Sequence, residues 1–267
     1  MVNIKFLGVG NAFSSLEYGQ SNIVIEFCGP VSKKLFLIDC GSDIRHLLYE
    51  QYPEINNSNI GNHIENVYIS HLHGDHCHGL EWLGFCTYFN PECAKPNIFV
   101  PVKFKNVLWD HVLKGTMEEI IGKKTTINDF FNVNYTKKSF YISLSGKNVL
   151  FFELVESIHV NPYKKSYGLF ITNYNNGKKV YITTDVEISN YSRNKWAYDK
   201  ATLILHDCET TPYKSNVHPH YDDLIKLPDN IKKKMWLYHY SPDFYKYNPV
   251  HDGFAGFCTK GCSFEIT

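Results

Sequence analysis

The chain has 267 residues, 43% hydrophobic and 15% aromatic, enough to bury a sizeable core in one large domain or two small ones. Lys+Arg and Asp+Glu both number 27, so the formal charge is zero and the basic excess with which proteins grip long nucleic acids is absent. No run is long and apolar enough to span a membrane. The N-terminal MVNIKFLGVGNAFSS makes a poor signal peptide and a good first strand, so a cytoplasmic protein is expected.

In chain order, NIKFLGVG, SNIVIEF and KKLFLIDCG read as strands separated by Gly, Ser and Pro. SDIRHLLYEQY has helical spacing and opens with Ser42 or Asp43 as its cap. NVYIS is a short buried strand and GLEWLGFCTYF a helix. KPNIFVP predicts a strand, FKNVLWDHVLKGTMEEII a helix, and TINDFFNVNYT a strand edge or loop. From about residue 140 onward strands return in SFYISL, NVLFFELVES, YGLFITNY, KKVYITTD, ATLILHD and KMWLYHYS, with a short helix in YDDLIKL. Asn176-Gly177 in NYNNGKK is a tight-turn signal. No repeat, linker or low-complexity tract interrupts residues 1–267, which predicts a single domain with two sheets and helices outside.

Two composition signals are bland. The eight cysteines include no Cys-x-x-Cys pair and fall mostly in apolar runs, so they are expected to be reduced and mostly buried; Cys258 and Cys262 form the one tight pair. The lysine run Lys232, Lys233, Lys234 reads as a solvated face.

The informative feature is the kind of residue that ends each strand-like run. VYIS leads into His71, His73, Asp75 and His76, FFELVESI into His159, VYITT into Asp185, LIL into His206 and Asp207, and WLY into His239. Five strands therefore end in residues able to ligate metal, and imidazole with carboxylate and no thiolate suits a hydrolytic metal centre. On the turn leaving the strand, His71 and His73 can point one way and Asp75 and His76 past them, so one segment serves two adjacent ions. A shared carboxylate, Asp185, can bridge ions roughly 3.5–4 Å apart that activate a water and clamp a phosphoryl oxygen.

HLHGDH resembles the His-x-His-x-Asp-His motif of the metallo-β-lactamase superfamily. The resemblance runs along nearly the whole chain. KFLGVGNAFS is similar to the family's first hairpin, LFLIDCGSD to the strand whose aspartate supports the metal loop, and HVNPYKKSYGLFI to the His-x(n)-Ser-x-Gly segment of the RNase Z-like branch. YITTD, LILHDCE and WLYHYSP resemble that branch's bridging-aspartate, His-Glu-Ala-Thr and Thr-His-Phe-Ser segments. The resemblance implies an α/β (α+β) fold, an αββα four-layer sandwich. It implies one metal on His71, His73 and His159, another on Asp75, His76 and His239, Asp185 between them, and Asp39 in support. Catalytic roles fall to Asp75, to His218 as proton donor to the leaving oxygen, and to Asp207 as the group orienting it. Asp207 stands where the branch has a glutamate, and the shorter side chain makes that pairing less secure; His220 is the competing donor. The implied cofactors are two zinc ions, with manganese or iron fitting the same ligands.

The other histidines read as ordinary. His78 starts a helix, His206 is a hydrogen-bonded core residue, and His46, His63, His111 and His251 are surface or packing residues. Only the hairpin NYNNGKK stands where RNase Z carries its long arm for transfer RNA. GLEWLGFCTYFNPE, SYGLFIT, VHPHYDDL, KMWLYHY and DGFAGF look like small RNase Z-like phosphodiesterases, closest to the anti-Pycsar enzymes of phages and their bacterial relatives. That implies a homodimer hydrolysing 3′,5′-cyclic mononucleotides with relaxed base choice, to defeat cyclic-nucleotide immune signalling, in the host cytoplasm if viral. Trp82, Phe85, Tyr88 and Phe89 could line the base pocket or dimer face, or simply be core. Alternatives are an RNA 3′-end endonuclease, a lactamase or thiolesterase, and a cyclic-nucleotide sponge that binds without cleaving.

Overall fold

Residues 1–29, 33–144, 148–161 and 164–266 are described by the structure, a computed structural model, and two units divide them. The first comprises Met1–Gly8, Gly19–Lys137 and Gly261–Glu265. Its strands are β1 (Val2–Phe6), β2 (Ile23–Cys28), β3 (Lys33–Ile38), β4 (Ile64–Tyr68), β5 (Asn97–Pro101), a small hairpin of β6 (Glu119–Ile120) and β7 (Lys123–Lys124), and β8 (Asn132–Thr136). A seven-stranded sheet runs from Ser263–Glu265 through β1, β2, β3, β4 and β5 to β8. It is antiparallel as far as β3 and parallel beyond. Parallel neighbours need long crossovers. Here these carry α1 (Ile44–Gln51), α2 (Ile60–His63), α3 (Gly74–Cys77), α4 (Gly79–Tyr88), α5 (Lys114–Met117) and α6 (Ile127–Phe130).

α1 forms as its spacing predicts, burying Ile44, Leu47 and Leu48 on one face. Asp43 occupies the cap position, but its carboxylate makes no cap bond. It accepts instead from the Gln20 backbone N–H (2.7 Å) and the Asn22 amide (3.2 Å), tying the β1–β2 loop to the helix start. The single helix expected over 104–121 is broken up. Leu108–Leu113 is a π-helical turn, which brings the buried Leu108 and Leu113, five residues apart, onto one face before α5. Ile121 (φ 52°) and Gly122 (φ 72°) then close the β6–β7 hairpin, their paired positive φ being what a tight two-residue turn needs. The segment expected as a strand edge or loop opens with α6, held by a reciprocal Thr126–Asp129 capping box, before β8 begins. On α4, Trp82, Phe85 and Tyr88 pack against the core, with Phe85 and Tyr88 on Phe130, while Phe89 is 58% exposed.

The second unit comprises Val9–Tyr18, Lys138–Lys260 and the chain from Ile266. It holds β9 (Ser139–Leu144), β10 (Asn148–Asn161), β11 (Lys164–Asn173), β12 (Lys179–Ile182), β13 (Leu203–Asp207), β14 (Met235–Tyr238) and β15 (Gly256–Phe257), hydrogen-bonded in that order. β9 to β12 are antiparallel, and β12 to β15 parallel. Crossovers carry α7 (Asn190–Arg193) and α8 (Lys195–Lys200), then α9 (Tyr221–Leu224) and α10 (Asp229–Lys232). The turn at Asn176-Gly177 is present as a longer loop. Gly177 (φ 75°) donates its N–H to Asn173 O at 2.8 Å, and Lys179 pairs with Thr172.

Lys232 departs from the expected solvated face. It is 7% exposed, and its ammonium donates to the carbonyls of Ile225 and Asp252 and meets Asp229 at 3.0 Å. Loop carbonyls satisfy the buried charge, so the run is solvated only in part. All eight cysteines are free thiols, five of them buried. Among the described residues no helix is long and apolar enough to cross a membrane.

Candidate metal centre

In both sheets most of the metal-type residues follow the carboxyl ends of strands with a parallel neighbour, where α/β proteins commonly place ligand sites, while His159 lies on the antiparallel β10. In the first unit, β4 leads through Ile69 and Ser70 into His71, His73, Asp75 and His76, the last two on α3. The turn is held against the end of β3: Cys40 N–H donates to His76 O, and Gly79 N–H to Cys40 O. Gly41 allows this approach, since a Cβ there would lie 2.1 Å from Asp75 O. Asp39, at φ 68° and 2% exposed, accepts from Ser70 N–H (2.8 Å), Ser70 Oγ–H (2.8 Å) and His76 Nδ1–H (2.7 Å). Ser70 Oγ lies 3.0 Å from His71 Nδ1. The His71 ring centroid is 4.7 Å from that of His73 and 4.1 Å from that of His76.

The second unit gathers His159, Asp185, Asp207, His218 and His239. His159 lies in a bulge between Ile158 and Asn161, an irregularity that re-aims a side chain out of the ladder. Asp185 comes after β12 through Thr184 at φ 50°, a rare conformation for a β-branched residue. The Ser-x-Gly segment explains how this turn is held. Ser166 Oγ bonds Thr184 Oγ1 at 2.8 Å, and a Cβ on Gly168 would lie 2.6 Å from Ile182 O. Pro162 and Tyr163 of the same segment lie outside the described residues. His239, just past β14, has φ 66°. Backbone strain of this kind concentrates at functional sites.

Asp185 turns one oxygen to each of two imidazoles, Oδ2 to His159 Nε2 and Oδ1 to His239 Nε2, each at 3.5 Å. That is the disposition a bridging carboxylate needs. Asp207 is shared as well: Oδ2 accepts from Val186 N–H (3.0 Å) and His218 Nδ1–H (2.8 Å), and Oδ1 lies 3.3 Å from His239 Nδ1. The shorter side chain thus reaches His218 after all. Asp185, Asp207, His218 and His239 each offer a ligand atom within 4.8 Å of the others. Burial pushes the Asp207 carboxyl up, but His218 and His239 outweigh it and hold it below the usual carboxylate range. Burial likewise depresses His218, and the Asp207 carboxylate more than reverses that.

Hydrogen bonds and close polar contacts within the protein engage Nδ1 of the ligand-type imidazoles: His71 with Ser70, His76 with Asp39, His159 with Val217 O and His239 with Asp207. In these four Nε2 is then the atom that could coordinate a metal, the usual arrangement for metal-binding histidine. Donors of this kind, with no thiolate, suit divalent transition metals.

The remaining histidines sort by their bonds. His220 donates from Nε2 to Thr211 O (2.9 Å) and accepts at Nδ1 from Asp222 N–H (3.2 Å), capping α9, so both ring nitrogens are committed. His206 is a core histidine as expected, accepting from Tyr198 O–H at Nε2 (2.8 Å) and donating to Asp207 O (2.6 Å). His46, His78, His111 and His251 are exposed and His63 half-buried. Ser70 carries structure here that sequence reasoning did not single out. Its signal was position, one residue before His71.

A family model described as Anti-Pycsar protein Apyc1 matches residues 2–264. The Anti-Pycsar protein Apyc1 of Saccharibacillus brassicae is 30% identical over 242 residues, covering 90% of this chain and 90% of that protein. Among solved structures, the metallo-β-lactamase fold protein YhfI from Bacillus subtilis matches at a TM-score of 0.68 and 15% identity, covering 98% of both chains. The short form of human tRNase Z matches at 0.61 and 17%, covering 99% of both. The fold is that of the metallo-β-lactamases, as the motif implied.

Proposed function

The chain belongs to the anti-Pycsar Apyc1 family, and from that membership we propose that it is a dinuclear-metal phosphodiesterase opening 3′,5′-cyclic mononucleotides to linear nucleoside monophosphates. His71, His73 and His159 would hold one ion and Asp75, His76 and His239 the other, with Asp185 shared between them, and zinc is the metal that imidazole and carboxylate donors favour. The bound ions supply an activated water and charge stabilisation at the phosphoryl oxygens.

The chain's own residues do the rest. The observation that carries the reaction class is the Asp207–His218 pair. The buried carboxylate holds His218 by Nδ1, which leaves Nε2 of this half-buried ring (18% side-chain exposure) to hand a proton to the departing ribose oxygen. An alkoxide leaving group needs that proton. His220 lacks a nitrogen to spare for it. Asp75 would complete the catalytic set as a ligand that helps to position the attacking water. The same reading makes the protein a single domain over residues 1–267, a homodimer, and a cytoplasmic agent that removes cyclic-nucleotide immune signals.

The test is chromatography of cyclic AMP, GMP, CMP and UMP after incubation with the zinc-loaded protein, beside a His71→Ala control. Linear monophosphates formed by the parent alone are expected. Nucleotide recovered unchanged from denatured protein would mark a sponge. No binding or turnover by protein holding two metals would turn the assignment toward an RNA 3′ end.

A further inference from the structure

The end of β3 and the start of the metal loop share one carboxylate. Asp39 Oδ2 accepts directly from His76 Nδ1–H at 2.7 Å and also from the Ser70 hydroxyl at 2.8 Å. Because the Ser70 proton is given to Asp39, the Ser70 oxygen is the acceptor in its 3.0 Å contact with His71 Nδ1. The chain Asp39, Ser70, His71 therefore sets which nitrogen of His71 carries the proton and leaves the unprotonated lone pair on Nε2. Asp39 does the same for His76 without an intermediary. All four residues are buried, with Ser70 fully so, so water does not substitute for the hydroxyl. The Ser70 backbone N–H is separately held by Asp39 Oδ1 at 2.8 Å, so the strand end keeps its anchor when the hydroxyl is removed.

We propose that Ser70 is a positioning residue selective for one metal: its hydroxyl orients His71, while Asp39 orients both His71 and His76. The proposal rests on the assignment of His71 and His76 to different ions. Removing the hydroxyl leaves His71 without the acceptor that fixes its tautomer, and loss of such a partner typically weakens metal affinity about 10–100-fold. The ion held by His76 keeps its direct carboxylate and is expected to stay.

The experiment is zinc titration of metal-free full-length protein followed by mass spectrometric metal counting, on the parent, Ser70→Ala, Ser70→Thr and Asp39→Asn. Two ions per chain in the parent test the underlying assignment; any other stoichiometry overturns that assignment first. Given two, Ser70→Ala is expected to keep one ion at parental affinity and bind the second about 10–100-fold more weakly. Ser70→Thr, which restores a hydroxyl, should recover the second ion, and Asp39→Asn should weaken both. Melting of the metal-free Ser70→Ala protein near the parental temperature is expected, because the backbone anchor remains. Parental affinity for both ions in Ser70→Ala, or equal weakening of both, overturns the proposal.

Discussion

At the scale of single residues, the proton donor is where the chemistry is most exposed to test. His218 and His220 are two residues apart and chemically identical, yet one faces Asp207 with a single nitrogen and the other spends both on backbone. His218→Ala should lower kcat on a cyclic nucleotide about 10²–10⁴-fold, the usual worth of a positioned general acid. With bis(p-nitrophenyl) phosphate, whose leaving group departs without a proton, the same variant should lose far less. Steady-state assays on both substrates check this, with His220→Ala as the comparison. That variant loses a helix cap and should cost about 1 kcal/mol of stability while leaving the leaving-group dependence parental.

Among the elements, β2 and α1 carry a titratable link that involves none of the proposed ligands. Glu26 on β2 accepts from the hydroxyl of Tyr52, just past α1, at 2.7 Å, and from Lys33 at 3.1 Å. Burial pushes the Glu26 carboxyl up, but these two bonds outweigh it and leave it below the ordinary range. A folded value below the unfolded one means that the stabilisation is fully present above the unfolded pKa. It is lost as pH falls through the lowered folded value. Glu26→Gln should therefore flatten the acid limb of stability against pH, as denaturant titrations over the carboxylate range would reveal; an unchanged slope would remove Glu26 from that role. Element boundaries were harder to read than element types. The apolar pattern over 104–121 is compatible with one helix, and the break came from Ile121-Gly122 and from a five-residue spacing that a π turn satisfies.

For the molecule as a whole, the proposed ligands include carboxylates that are almost fully buried, Asp75 at 7% and Asp185 at 1% exposure. Buried anions are costly unless a cation or donors offset them. Metal binding and folding should therefore be linked. Zinc at about one hundred times its Kd should add about 2.7 kcal/mol per site, or roughly 5–10 °C in Tm. Calorimetry with and without a chelator measures this, and a melting temperature indifferent to metal would contradict the metal centre. Turnover should disappear and return with the metal.

Much of this protein could be read from the chain alone, because strand periodicity and ligand chemistry are local. Apolar runs ending in His71, His159, Asp185, Asp207 and His239 announced strands that lead into metal-capable residues, and HLHGDH with its companions indicated the fold. What had to wait for the tertiary structure was which atom meets which. Asp43 has the identity and position of a helix cap, but Gln20 and Asn22, over twenty residues away, claim its carboxylate. Lys232 sits in a run of lysines, and only the fold brings the carbonyls of Ile225 and Asp252 to it. His218 and His220 could not be separated without the positions of Asp207 and Thr211, and the link from Asp39 through Ser70 to His71 joins strands distant in sequence. Residue type states what a group is able to bond. Long-range packing decides which of those bonds it makes, because each donor or acceptor is committed to whatever partner the fold brings within about 3 Å.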